Sequence, residues 1–305
     1  MQSVPVLDWG VGIILWLQQF SNPALDAVFR FFTFLGDEYF ILIFLPLIYW
    51  CVNRRYGTRL IFMFLIAGYV GAWAKVAVDQ PRPFQYDPRV VALVEATGKG
   101  FPSLHTLNTV SLWGYLAFRL KRTWLWVLTG VLVVFVPLSR IYLGVHFPTD
   151  LFGGYIFGGA LLLLYLAVES RLVNWLTAKP VWEWVVALVV PALMLVVLPS
   201  GDNEDSIAGA GMLLGASVGF AIERRWVLFD SGGIWWKQAL RLLLGVICLF
   251  VIHAGFKKAF EGLEPMMLFR FIRYTLIGLW LGVGGPWVFT KLRLIEHRPP
   301  RVAQA

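Results

Sequence analysis

Charge is what this chain has least of. Asp, Glu, Lys and Arg make up 14% of its 305 residues, against ~25% in soluble domains, which excludes an ordinary soluble surface for most of the sequence. Acidic residues are the scarcer kind, 18 against 26 basic. Cysteine is nearly absent. Cys51 and Cys248 both lie in apolar segments, so no disulfide framework is indicated. Residues 1–8 contain no Lys or Arg. With no basic n-region and no cleavage site after it, no signal peptide is expected.

Apolar residues fill the chain instead. It is 59% hydrophobic, with a mean hydropathy of +0.71 and 15 tryptophans. Long uncharged runs predict an all-α, polytopic membrane protein, and the tryptophans suit two interfacial belts. The net charge of +8 does not point to nucleic acid, because the basic residues are scattered through short loops.

Residues 9–20 are apolar but too short to span, and read as an interfacial helix. Residues 25–35 read as a second one, or as the lead-in to the first span. Spans are then expected at 38–52, 60–78, 106–118, 124–138, 150–168, 181–198, 207–222, 239–256 and 267–289, about nine in all. Loops after the odd-numbered spans hold most of the Lys and Arg, including Arg54, Arg55, Arg59, Arg119, Lys121 and Arg122. The positive-inside rule then puts the N-terminus outside and the C-terminus in the cytoplasm. The loops at 79–103 and 139–149 both fall on the non-cytoplasmic side. Gly211, Gly215 and Gly219 repeat at four and can pack two helices closely, within the chain or between copies. Trp235 and Trp236 read as an interface anchor.

The polar exceptions carry the chemistry. Between two apolar runs stands Ser139-Arg140-Ile141-Tyr142-Leu143-Gly144-Val145-His146-Phe147-Pro148-Thr149-Asp150. Charged residues at a bilayer edge are costly and by default functional. A helix opening near Pro148 puts Asp150 in its first turn and His146 just before it. The carboxylate can then hold one imidazole nitrogen and leave the other free to attack or to carry a proton. Arg140 is an anion holder. Upstream, Lys75 ends an apolar helix and Arg82 sits between two prolines, Pro81 and Pro83. Ser103 is an N-cap candidate ahead of His105. Two helix N-termini, at Ser103 and Asp150, thus face the surface that carries Lys75, Arg82 and Arg140, a phosphate or sulfate site.

Taken together, Lys75-x6-Arg82-Pro83, Pro102-Ser103-x-His105 and Ser139-Arg140-x5-His146-x3-Asp150 resemble the three-part signature of the type 2 phosphatidic acid phosphatase superfamily. Membrane lipid phosphatases, glucose-6-phosphatases and vanadium haloperoxidases share it. The resemblance covers residues 75–150. It implies that His146 attacks phosphorus, that Asp150 orients and charge-stabilises it, and that His105 protonates the leaving alkoxide and then activates water. It implies that Lys75, Arg82, Ser103 and Arg140 hold the phosphate oxygens, with no metal and no other cofactor. One position departs. The family usually carries glycine where this chain has Leu104. Leucine still offers its backbone amide to phosphate if its side chain turns into lipid or protein.

The expectation is a six-helix phosphatase core at 30–170, an interfacial region at 1–29, and extra C-terminal spans with a cytoplasmic tail at 171–305. The expected activity is metal-independent hydrolysis of a lipid phosphate monoester or diphosphate. It takes place at the periplasmic, exterior or lumenal surface of a bacterial inner membrane or eukaryotic endomembrane. The partners are a phosphorylated lipid and membrane lipids, without nucleic acid. Transfer to a lipid or sugar acceptor, or non-catalytic lipid-phosphate binding or transport, are the alternatives. The substrate itself and the oligomeric state are not legible.

Overall fold

The structure, a computed structural model, describes residues 4–178, 184, 186, 188–191, 204–260, 262–263 and 266–295. Among them the secondary structure is helical, without strands. In lipid this pairs every backbone donor within its own segment. Among the described residues six helices are long and apolar enough to cross a bilayer, or seven if the bent pair Pro23–Phe34 and Glu38–Val52 is one span. The expected span at 181–198 lies almost wholly outside the described residues.

The chain divides into two compact units, residues 1–41 with 66–169, and residues 42–65 with 170–305. The first begins with α1 (Pro5–Gln18) and α2 (Pro23–Phe34), each opened by a proline in its first turn, where the missing N–H is not needed. The Asn22 side chain caps α2 by accepting from the amides of Ala24 and Leu25. In chain order, α3 (Glu38–Leu47) and its π-helical turn at Ile48–Val52 lead into the second unit, and the long α4 (Arg54–Val78) begins there and ends in the first. Asp79 in the left-handed region (φ 52°) ends α4, and Pro81 and Pro83 bar its continuation. Pro83 instead opens the short α5 (Pro83–Tyr86).

The α6 helix (Leu104–Asn108) runs through a π-helical turn (Thr109–Trp113) into α7 (Gly114–Leu120). This continuous segment covers the expected third span. α8 (Thr123–Tyr142) and α9 (Pro148–Ala178) follow. The sequence places a loop over 139–149, but α8 carries on to Tyr142. Arg140 turns inward to a polar partner, so its charge does not end the helix.

Close helix approach sets the centre of this unit. Gly154 faces the Ser103 carbonyl and Thr106, and Gly158 faces the Leu107 carbonyl, which brings α9 against α6. Leu7, Val11 and Ile14 of α1 pack with Val90, Ile141, Phe147 and Leu151. Phe29 of α2 stacks on Tyr142 with centroids 4.2 Å apart.

The second unit holds α10 (Glu204–Ile222), α11 (Trp235–Ala259), α12 (Met266–Leu279) and α13 (Gly285–Lys291). Fully buried Tyr49 and Trp50 donate to the carbonyls of Gly282 and Leu281 and pack on Phe220 and Phe289. The glycine stripe is used inside the chain. Gly211 faces the Phe271 carbonyl, Gly215 the Thr275 carbonyl and Gly219 the Gly282 backbone. Buried Arg241 donates to the carbonyls of Trp50, Ser231 and Gly232, and Arg54 pairs with Glu223 at 2.7 Å. Cys51 and Cys248 are free thiols.

Candidate active site

The site is assembled in the first unit from the turn after α8. Gly144 (φ 73°) adopts a conformation that a side chain would strain. Val145 and His146 then donate their amides back to the Arg140 carbonyl at 3.2 and 3.3 Å. Phe147, fully buried against Gly10 of α1, anchors the turn, and Pro148 opens α9. Asp150 lands beneath it. Its Oδ2 accepts the Phe147 amide at 2.9 Å and lies 3.0 Å from His146 Nδ1. A carboxylate only accepts, so Nδ1 carries the proton and Nε2 keeps its lone pair.

Arg82 is held by main-chain carbonyls. It donates to Thr97 at 3.1 and 2.6 Å, to Gly98 at 3.0 Å and to Val145 at 3.0 Å. One of its nitrogens, Nη1, stands 3.3 Å from His146 Nε2. Lys75 Nζ donates to the Lys99 carbonyl at 2.5 Å. Lys99 in turn pairs with Asp79. The 87–100 loop therefore supports both cations.

Ser103 is the N-cap of α6, its hydroxyl accepting from the Thr106 amide and hydroxyl. Its own amide donates to the Asp150 carbonyl at 3.0 Å, so the two helix N-termini do meet. His105 Nε2 is buried with no hydrogen-bond partner, as is Arg140 Nε. Arg140 Nη1 donates to Thr33 of α2 at 2.5 Å. Leu104 points its side chain at Gly71 of α4, where a Cβ would collide with it. The leucine is thus accommodated by protein, leaving the start of α6 free of its bulk.

Arg82, His146 and Asp150 are joined directly and the Ser103 amide meets the Asp150 carbonyl, whereas Lys75, His105 and Arg140 reach His146 through their fields. Two further side chains join these residues, Gln80 on Asp150 Oδ1 at 2.5 Å and Thr33 on Arg140. Their only sequence signals were position, Gln80 between Lys75 and Arg82 and Thr33 as a lone hydroxyl in an apolar helix. Of the two aromatics flanking the basic residues, Trp73 is exposed and Phe84 packs into the core.

His146 lies between spans. Burial first, and then the positive fields of Arg140, Arg82, Lys75 and His105, hold its pKa well below the usual histidine value. Both effects favour the neutral ring. A neutral imidazole backed by a buried carboxylate and ringed by cations suits attack on an anionic electrophile.

The sequence profile of the PAP2 superfamily matches residues 56–173. That of the PAP2 superfamily phosphatase transmembrane extension matches residues 207–298. Lipid phosphate phosphatase delta of Arabidopsis thaliana is 29% identical over 229 residues, 69% of this chain and 55% of the relative. The match thus spans about half of that relative's length. Undecaprenyl-diphosphatase of Sulfolobus acidocaldarius is 30% identical over 149 residues, 48% of this chain and 72% of the relative. Sphingosine-1-phosphate phosphatase 2 of Mus musculus is 29% identical over 303 residues, 83% of each chain. Among solved structures, the first transmembrane PAP2 type phosphatidylglycerolphosphate phosphatase from Bacillus subtilis matches with a TM-score of 0.49 and 23% identity. It covers 56% of this chain and 89% of that one.

Proposed function

This chain belongs to the PAP2 superfamily, and on that premise we propose that it hydrolyses a lipid phosphate monoester or diphosphate through a phosphohistidine. The observation that carries the reading is the buried His146–Asp150 pair, whose unprotonated Nε2 accepts from Arg82 Nη1 at 3.3 Å. In the first step His146 Nε2 bonds to phosphorus and the bond to the leaving oxygen breaks. His105 gives that oxygen a proton. In the second step His105 takes a proton from water, the hydroxide displaces His146, and inorganic phosphate leaves. Asp150 holds the Nδ1 proton and offsets the imidazolium charge. Lys75, Arg82, Arg140, Ser103 and the Leu104 amide bind the oxygens on which charge develops.

Three observations support a lipid substrate. Lys75 ends a membrane helix, Trp73 is exposed beside it, and the relatives named above are themselves named for lipid phosphates or a polyprenyl diphosphate. The reading places catalysis in residues 30–170, with 1–29 as an interfacial segment and 171–305 as appended spans. It faces the site outward, on the strength of the basic-residue asymmetry.

Phosphate release from a panel of lipid and sugar phosphates, in excess EDTA, tests it. Wild type is expected to keep its activity, and His146→Ala to lose at least ~10³-fold. Full activity in that variant, or loss in EDTA, sinks the mechanism.

A further inference from the structure

We propose that Gln80 is a positioning residue that holds the Asp150 carboxylate in the orientation that fixes His146. The inference rests on the phosphohistidine reading above. Asp150 is fully buried, and each of its oxygens has a different task. Oδ2 serves His146 Nδ1 and the Phe147 amide. Oδ1 accepts the Gln80 side-chain amide at 2.5 Å. Since a carboxylate offers no proton, the amide must turn its NH2 towards it.

The backbone around Gln80 is built for this contact. The left-handed Asp79 turns the chain off α4. The Gln80 carbonyl accepts the Gly100 amide at 2.9 Å. Gly100 lets its segment close in, since a Cβ there would stand 3.1 Å from both Asp150 Oδ2 and the Pro81 carbonyl. The segment between Lys75 and Arg82 thereby grips the first turn of α9, and one side chain ties the first part of the signature to the third.

Glutamine also has the right chemistry. It donates without charge, so Asp150 stays the negative partner of His146. Lys75 and Arg82 are the charges acting on Asp150, and Arg140, Arg82, Lys75 and His105 act on His146. A further cation would compete with the imidazole for the carboxylate. An ionised second carboxylate would repel Asp150 and leave Oδ1 without a donor until it took up a proton. Without any donor, Oδ1 would be left buried and unsatisfied, and the carboxylate would rotate or take up a proton.

The test uses full-length protein in detergent with one lipid phosphate substrate. Wild type, Gln80→Leu, Gln80→Glu and His146→Ala are compared across pH. Gln80→Leu is expected to lower kcat about 10- to 100-fold, the range for an outer partner of a carboxylate–histidine pair, with KM little changed. Gln80→Glu is expected to be impaired at about pH 8. Its kcat relative to wild type rises towards about pH 5, as the introduced carboxyl gains a proton that it can donate to Oδ1. The Gln80→Glu ratio decides the matter if the leucine variant does not fold. A ratio that is flat with pH, or a Gln80→Leu enzyme with wild-type kcat, overturns the role of Gln80 while an inactive His146→Ala leaves the phosphohistidine reading standing. An active His146→Ala overturns that reading itself.

Discussion

At His146 the two ring nitrogens have separate work. Nδ1 is committed to Asp150 and Nε2 faces Arg82. In the phosphohistidine reading the neutral ring is the nucleophile, and burial and the surrounding cations hold its pKa well below the usual histidine value. Protonation therefore silences the enzyme only at lower pH, and the acid limb of kcat/KM is expected below about 6.5. A limb above that value would mean that another group controls the first step. Arg82 makes a second case. Its fork reaches three separate carbonyls and still points at the imidazole. Lysine supplies a point charge without the fork. Arg82→Lys is expected to lose about 2 kcal/mol, or ~30-fold in kcat/KM, measured on one substrate at fixed pH.

Among the elements, α4 and α6 answer the one departure from the family pattern. Leu104 needs the space that Gly71 leaves empty. Gly71→Ala is expected to destabilise the protein by about 1–3 kcal/mol through overpacking, read as a lower Tm in detergent. Adding Leu104→Ala should recover most of the loss. If the double variant is no better than the single one, the two side chains are not paired as described. In the second unit the stripe on α10 leads to a like expectation. Gly215 meets the Thr275 backbone with no room for a side chain. Gly215→Leu should therefore lower Tm, whereas Gly209→Leu, with open space around it, should not.

For the whole molecule, the basic loops predict which segments face which side of the membrane. In a background lacking Cys51 and Cys248, a cysteine placed at Val91 is expected to react with a membrane-impermeant maleimide added to sealed cells or vesicles of known orientation. One placed at Trp235 should react only after permeabilisation. Both positions are exposed in the structure. The reverse pattern would move the active site to the cytoplasmic face and leave its chemistry unchanged.

The membrane class and most helix positions were legible from the sequence alone, because hydrophobic runs, caps and turn residues act over a few positions. Ser103 caps α6 and Pro148 opens α9 as their residue types dictate. The path of α8 to Tyr142, the direction of Leu104, and the parts played by Thr33 and Gln80 were decided only by tertiary structure. Gln80 meets Asp150 across 70 positions, and Thr33 meets Arg140 across 107. No local period records such pairs. A buried charge takes its partner from whatever donor or acceptor the fold brings beside it, and only packing determines which one that is.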